Sequence, residues 1–287
     1  MDTTCTDSDT LAIVASGASI NDYINKFKEY LPTIDTLSLG HHTFNYFNNI
    51  LNFLPTFWTY YDAYSTVSVF PSLLDIGHNI PIRIFILTPI HTKSYAVQVE
   101  YIGKSSVGQR KLKEKHVKWN SSYYDKQYLA NMKKLEQFCD VQYIPATSFK
   151  KVNYSRYRKL VTTDDRFLTI MEFTKIFKEN TNTKKLCVME MWEVGRLTTY
   201  LLPLVYFLTL TGQFKYSKIL LIGFDGNAPR FVTQKFESKR EQQLAKVRHA
   251  EYKFYMPMWK SIFAELGIKI YKATPSPAME CIEEYHV

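Results

Sequence analysis

The feature that most constrains this chain is a short apolar run, Leu11-Ala-Ile-Val-Ala15, that passes without a break into Ser16-Gly17-Ala18-Ser19. An uninterrupted apolar run of this length reads as a strand buried on both faces, as inside a parallel sheet. The small residues after it, and then Asn21-Asp22-Tyr23-Ile24-Asn25-Lys26-Phe27, read as a tight turn and a helix start, with Ser19 or Asn21 as the cap. Strand, turn and helix in that order open a βαβ unit. The N–H groups of such a turn favour an anion, which makes Ser16, Gly17 and Ser19 candidate phosphate-binding residues.

The same pattern returns along the chain. Short strands are predicted at 36–39, ending at Gly40-His41, at 56–60, ending near Asp62, and at 82–87 and 96–99. Arg196 to Leu210 reads as a buried helix that Gly212 stops, with Pro203 as a kink. Lys218 to Ile222 gives another strand, which runs into Gly223-Phe224-Asp225-Gly226-Asn227. A helix over 250–266, a strand over 268–271 and the turn Thr274-Pro275-Ser276-Pro277 close the pattern. Residues 103–160 read as a helical and loop insertion, and 1–10 as a flexible N-terminus. The expectation is a single α/β domain over 11–287, a Rossmann-like, mostly parallel sheet with helices on both faces. Ligands bind such sheets outside the carboxyl ends of the strands, which here carry Ser16, Gly17, Gly40, His41, Asp62, Asp225 and Asn227.

Composition narrows the class. The net charge of +9 favours anionic partners, nucleic acid among them. Basic stretches at 104–118, 150–159 and 230–253 are interleaved with aromatic residues such as Trp119, Tyr154, Tyr157 and Phe231, a combination that suits nucleic acid and equally a solvated helix face. The cysteines Cys5, Cys139, Cys187 and Cys281 form no CxxC pair, so zinc-ligand spacing is absent and a reducing, cytoplasmic setting is expected. The acidic, polar start lacks secretory-signal character. The longest apolar run, 197–210, is too short for a transmembrane span, which needs about 20 residues. The only Asp-x-Asp is Asp7-Ser8-Asp9, ahead of the first strand, so the sheet region carries no Asp-x-Asp metal site.

Four segments together resemble the bacterial lipooligosaccharide sialyltransferases and related sialyltransferase-like Rossmann proteins, which include a pterin diphosphokinase group. They are Ala12 to Ile20, Thr198 to Gly212, Ile219-Leu-Leu-Ile-Gly-Phe-Asp225, and His249, which stands 22 positions before Tyr271. The chain departs from the family pattern at Ala15 and Ala18, in place of a glycine and a proline, and at Gly40-His41 and Tyr61-Asp62, in place of asparagine-containing positions. The resemblance implies a glycosyltransferase-A-variant fold with a basic acceptor lid over 228–249. It further implies metal-independent transfer of a sugar from a CMP- or UDP-type donor to a hydroxyl of an anionic acceptor, a modified base in DNA being one version.

On that reading His249 is the general base and Asp225 positions a hydroxyl. Ser16, Gly17, Ser19, Gly40, His41, Asp62, Gly195, Thr198 and Thr199 hold the donor nucleotide, and Asn227, Arg230, Lys235, Lys239 and Arg240 hold the acceptor. Without the resemblance, His249 reads first as a surface histidine at a helix start, beside Arg248 and Glu251, and Asp225 equally as part of an Asp-Gly turn. Two rival functions remain: a diphosphokinase-like phosphotransferase, for which Asp62 and Asp225 are the evident carboxylates, and a non-catalytic binder of nucleotide or nucleic acid.

Overall fold

A computed structural model describes residues 9–39, 54–59, 82–88, 130, 133–149, 179, 186–189, 197–226 and 239–286. In chain order the regular elements are β1 (Thr10–Val14), α1 (Ile24–Tyr30), β2 (Asp35–Leu39), β3 (Phe57–Thr59), β4 (Arg83–Thr88), β5 (Asp140–Phe149) and β6 (Leu186–Met189). There follow α2 (Leu202–Leu210), β7 (Lys218–Ile222), α3 (Lys239–Glu265), β8 (Lys269–Lys272) and β9 (Glu283–Glu284). The expectation of one domain over 11–287 meets contacts that group into two compact units, Met1–Leu37 with Ala146–Val287, and Ser38–Pro145.

In the first unit the strand neighbours run β2-β1-β7-β8-β9. β1 pairs parallel with β7 from Thr10↔Lys218 to Val14↔Ile222, and β7 pairs parallel with β8. Every residue of β1 is buried, as expected of an interior parallel strand covered on both faces. β6 pairs parallel with the end of β5, over Ala146–Phe149. In the second unit β3, β4 and β5 are parallel neighbours around Trp58, Ile84, Phe85 and Ile144. The α/β Rossmann-like sheet expected from sequence is therefore present, and its pairing is parallel from β1 to β7 and β8, and from β3 through β4 to β5.

The strands read from sequence at 11–15, 36–39, 56–60, 82–87, 218–222 and 268–271 correspond to β1, β2, β3, β4, β7 and β8 within one or two residues. The strand expected at 96–99 lies outside the described residues. Two expectations are corrected. Within 103–160, read as helix and loop, residues 140–149 form β5, whose apolar Val141 and Ile144 are separated by polar residues and followed by Pro145. The last long helix starts at Lys239 rather than 250, so residues 239–249 of the candidate lid belong to a regular 27-residue helix.

Helix packing in the first unit follows from side-chain character. Leu202 to Leu208 are all buried, so α2 is apolar around its whole circumference and belongs inside. Pro203 has no N–H to give an α-helical ladder. It sits in the first turn of α2, and a π turn, Leu197–Leu201, lies on its N-terminal side. α3 buries Ala245, Tyr252, Tyr255, Met256, Trp259, Ile262 and Phe263, a stripe at helical spacing. Trp259 and Phe263 meet Tyr206 of α2 with ring centroids 6.4 and 6.0 Å away, which ties the two helices together. Among the described residues no helix is long and apolar enough to cross a membrane.

β7 is the strand that both β1 and β8 need for pairing, and its Leu220 is 1% exposed. Leu220→Ala is expected to lower unfolding free energy by about 2–5 kcal/mol, through lost burial plus an unfilled cavity. Urea denaturation checks this: the midpoint falls while the slope stays unchanged.

Candidate functional site

β1 stands between β2 and β7, and the chain reaches these two neighbours at opposite ends of its length. It leaves β1 for β2 on one side and returns through β7 on the other. Such a reversal of strand order is the topological switch point of an open parallel sheet, and ligands bind outside the carboxyl ends of the two strands that flank it. The loops after β1 and β7 meet at that place.

Their meeting is close. Beyond the paired strands, the N–H of Ala15 donates to Ile222 O at 2.9 Å and the N–H of Gly17 donates to Gly223 O at 2.9 Å. Gly17 has ordinary extended angles, φ −71° and ψ 150°, so its backbone does not require glycine. Space does: a Cβ there would lie 2.6 Å from Asp225 Cγ and would also collide with Gly223 O. Gly223 and Gly226, at φ 72° and 75°, bracket the β7 loop in the left-handed region that glycine adopts without strain. A methyl group on Gly226 would lie 3.2 Å from Ala278 Cβ and 3.5 Å from His249 Cα, so α3 and the short Pro277–Met279 turn close on this loop.

Asp225 fills the turn that the sequence marked for phosphate. Its Oδ2 accepts the N–H of Ser19 at 2.9 Å, and its Oδ1 accepts the Ser19 hydroxyl in a short hydrogen bond. The anion at the end of β1 is therefore the protein's own carboxylate. This corrects the expected caps: Ser19 spends its hydroxyl on Asp225, and the residues preceding the 3-10 turn Ala18–Tyr23 and α1 are Gly17 and Tyr23, neither with a side-chain cap. Asp225 is 5% exposed, and burial holds its carboxyl above the usual carboxylate range. The two bonds from Ser19 oppose that shift, Asp22 adds to it, and the positive charge of Arg248 opposes it.

The third and fourth turns of α3 bring further polar groups. Arg248 Nε and His249 Nδ1 are shielded from solvent and make no hydrogen bond among the described residues. Tyr252 has its hydroxyl proton held more firmly than usual, chiefly by burial and then by the charge of Glu251. Glu251 is wholly buried and accepts a short hydrogen bond from the Thr198 hydroxyl, while Trp259 Nε1 donates to Thr198 O at 3.0 Å. On the other flank, the Thr274 hydroxyl accepts the N–H of Gly223 at 2.9 Å, and the Ser276 hydroxyl donates to Phe224 O at 2.9 Å.

The structure thus brings together Gly17, Ser19, Asp225 and the backbone of His249 from the sequence-predicted set, with Ser16 half-buried in the same turn. Thr198, expected to frame the nucleotide, is 1% exposed and is used in packing the π turn against α3. Thr199 and Arg240 are placed only as backbone positions, in the π turn and at the start of α3, and Lys239 is exposed at the first residue of α3. Gly40, His41, Asp62, Gly195, Asn227, Arg230 and Lys235 lie outside the described residues. Arg248, Glu251, Thr274 and Ser276 were missed. The last two carried a signal, because they directly follow a strand and face its carboxyl end, where the switch-point rule looks for polar groups.

Among the described residues, no group of three or more His, Cys, Asp and Glu is placed to hold a metal ion. Comparison with protein-family models, with curated proteins and with solved structures returns no match.

Two predictions test this geometry. Gly17→Ala is expected to destabilise the fold by about 1–3 kcal/mol through overpacking against Asp225, measurable by thermal or urea unfolding. Asp225→Asn tests the buried carboxyl. A carboxyl whose folded pKa is raised contributes stability that is present below its unfolded value, near 3.8, and lost as pH rises through the folded value. The asparagine variant lacks that loss. Its stability relative to the parent is therefore expected to rise with pH across this window, read from urea unfolding at a series of pH values.

Proposed function

We propose that the chain is a glycosyltransferase that moves a sugar from a nucleotide-sugar donor of CMP or UDP type to a hydroxyl of an anionic acceptor. The observation that carries this reading is the convergence of Asp225 and His249, residues 24 positions apart in sequence, on one loop at the switch point between β1 and β7. The sialyltransferase-like resemblance of the four sequence segments supports the same choice, and so does the net charge of +9 for an anionic acceptor.

In this reading His249 removes the proton of the acceptor hydroxyl as its oxygen attacks the anomeric carbon. The bond from that carbon to the donor phosphate breaks, and its electron pair leaves on the phosphate oxygen. Asp225, held by Ser19, orients a hydroxyl of donor or acceptor. The Ser19 amide is already given to Asp225, so the donor phosphates draw instead on the positive charge of Arg248, whose Nε has no partner among the described residues. A modified DNA base is the most specific acceptor this reading allows.

The engagement of Ser19 by Asp225 favours a second reading, a nucleotide or nucleic-acid binder without turnover. One experiment separates the two. Labelled CMP- and UDP-sugars are incubated with the protein and hydroxyl acceptors, with EDTA present in parallel. Transfer that persists in EDTA and falls by about 10²–10⁴-fold in His249→Ala supports the transferase. Neither transfer nor donor hydrolysis, together with a nucleotide-induced rise in melting temperature that His249→Ala leaves intact, supports the binder.

A further inference from the structure

A concavity lies at the same end of the sheet in the first unit, beyond the ends of β8 and β9 and beside the 3-10 turn Ala18–Tyr23. It encloses about 70 Å³ and is walled by Tyr23, Lys26, Lys272, Glu284, Tyr285 and His286. A single water needs roughly 10–15 Å³ by this measure, so the space holds a handful of waters or one small oxyanion, and not a whole nucleotide.

Its charge is mismatched to its contents. Lys272 is only 11% exposed, yet its ammonium has a long 3.4 Å bond to Met279 O and an ion pair at 3.6 Å to Glu284, which is itself 59% exposed. An ammonium has three donors, and a nearly buried one is costly unless they are taken up. Lys26 adds a second positive charge on the rim and His286 a third donor group. Against these stands one carboxylate, so two ammonium groups face a single negative charge among the lining residues. Tyr23 and Tyr285 contribute rings that close the walls, and Tyr285 is fixed there by Tyr30 and Tyr271, with ring centroids 6.3 and 5.6 Å away. Its backbone N–H also donates to Lys272 O at 2.8 Å, which holds the wall together.

We propose that this cavity is a binding site for a small tetrahedral oxyanion of the phosphate type, with Lys272 as the inner ligand and Lys26 and His286 at the mouth. The cavity adjoins the Asp225 loop, sharing Thr274, whose hydroxyl holds Gly223, but its proposed ligand does not depend on the transferase reading. Its occupant is free phosphate or the terminal phosphate of a larger ligand, whose remainder lies outside the mouth.

Titration calorimetry on the full chain tests this with inorganic phosphate and with glycerol phosphate, each against sodium chloride at equal ionic strength. Saturable binding of either phosphate, absent with chloride, is expected. Lys272→Gln is expected to weaken it roughly ten-fold or more, the worth of a hydrogen bond to a charged partner. Lys26→Gln, on an exposed side chain, is expected to weaken it less and carries the test if Lys272→Gln does not fold. Lys253→Gln, on the exposed face of α3, is expected to leave it unchanged. Binding of inorganic phosphate alone identifies a free anion, and tighter binding of glycerol phosphate identifies a phosphate terminus; both support the site. Heat with phosphate that chloride reproduces, or affinity that Lys26→Gln and a folded Lys272→Gln leave intact, overturns it. Phosphate binding without sugar transfer overturns only the transferase.

Discussion

The contact between Asp225 and Ser19 is the constraint on which the rest of the candidate site depends. The opening strand ends in a turn whose amides need an acceptor, and β7 ends in a carboxylate that needs donors. Parallel pairing in register brings the two ends level, and each satisfies the other. Burial alone would leave the carboxylate costly, and two hydrogen bonds to it recover much of that cost. Gly17 follows from the same contact, since any side chain there would occupy the space of the carboxylate. Gly223 follows as well: a Cβ at that position would lie 2.5 Å from Ile20 Cδ1, in the turn that carries Ser19.

Around that contact the fold assembles a polar neighbourhood that packing alone does not require. Arg248, Glu251 and Tyr252 lie on the side of α3 that also carries Tyr255 and Trp259, so charged groups share a stripe with the aromatic core. The π turn at Leu197–Leu201 presents Thr198 to Glu251, and single π turns of this kind recur at functional sites. Polar groups of this sort at a switch point are what the proposed function rests on.

Much of the scaffold was legible in the amino-acid sequence, and the reasons are local. β1 and β7 are short, unbroken apolar runs that each lead into a turn containing glycine, a pattern that fits an interior parallel strand. β5 was not legible, because Asp140-Val-Gln-Tyr-Ile-Pro mixes apolar with polar residues and ends in a proline, a pattern that propensity reads as loop. The start of α3 was missed for a similar reason: Lys239-Arg-Glu-Gln-Gln has helical propensity but no apolar stripe to announce it. In the site, Asp225 was nameable from its place after a strand, whereas His249 was singled out only by the resemblance of its spacing before the last strand. The partner of Ser19 was not nameable, because it lies 206 residues away and only the register of β1 with β7 brings it near.

The loop that carries Asp225 is anchored from both flanks, by Ser19 on one side and by the Thr274 and Ser276 hydroxyls on the other. Its shape is therefore settled when the chain folds, and the conformational entropy of ordering it is spent then rather than at the moment of encounter. In the function proposed above, a ligand at this edge meets a segment already anchored on both flanks, and selectivity rests on how well it matches that fixed Gly223–Gly226 shape.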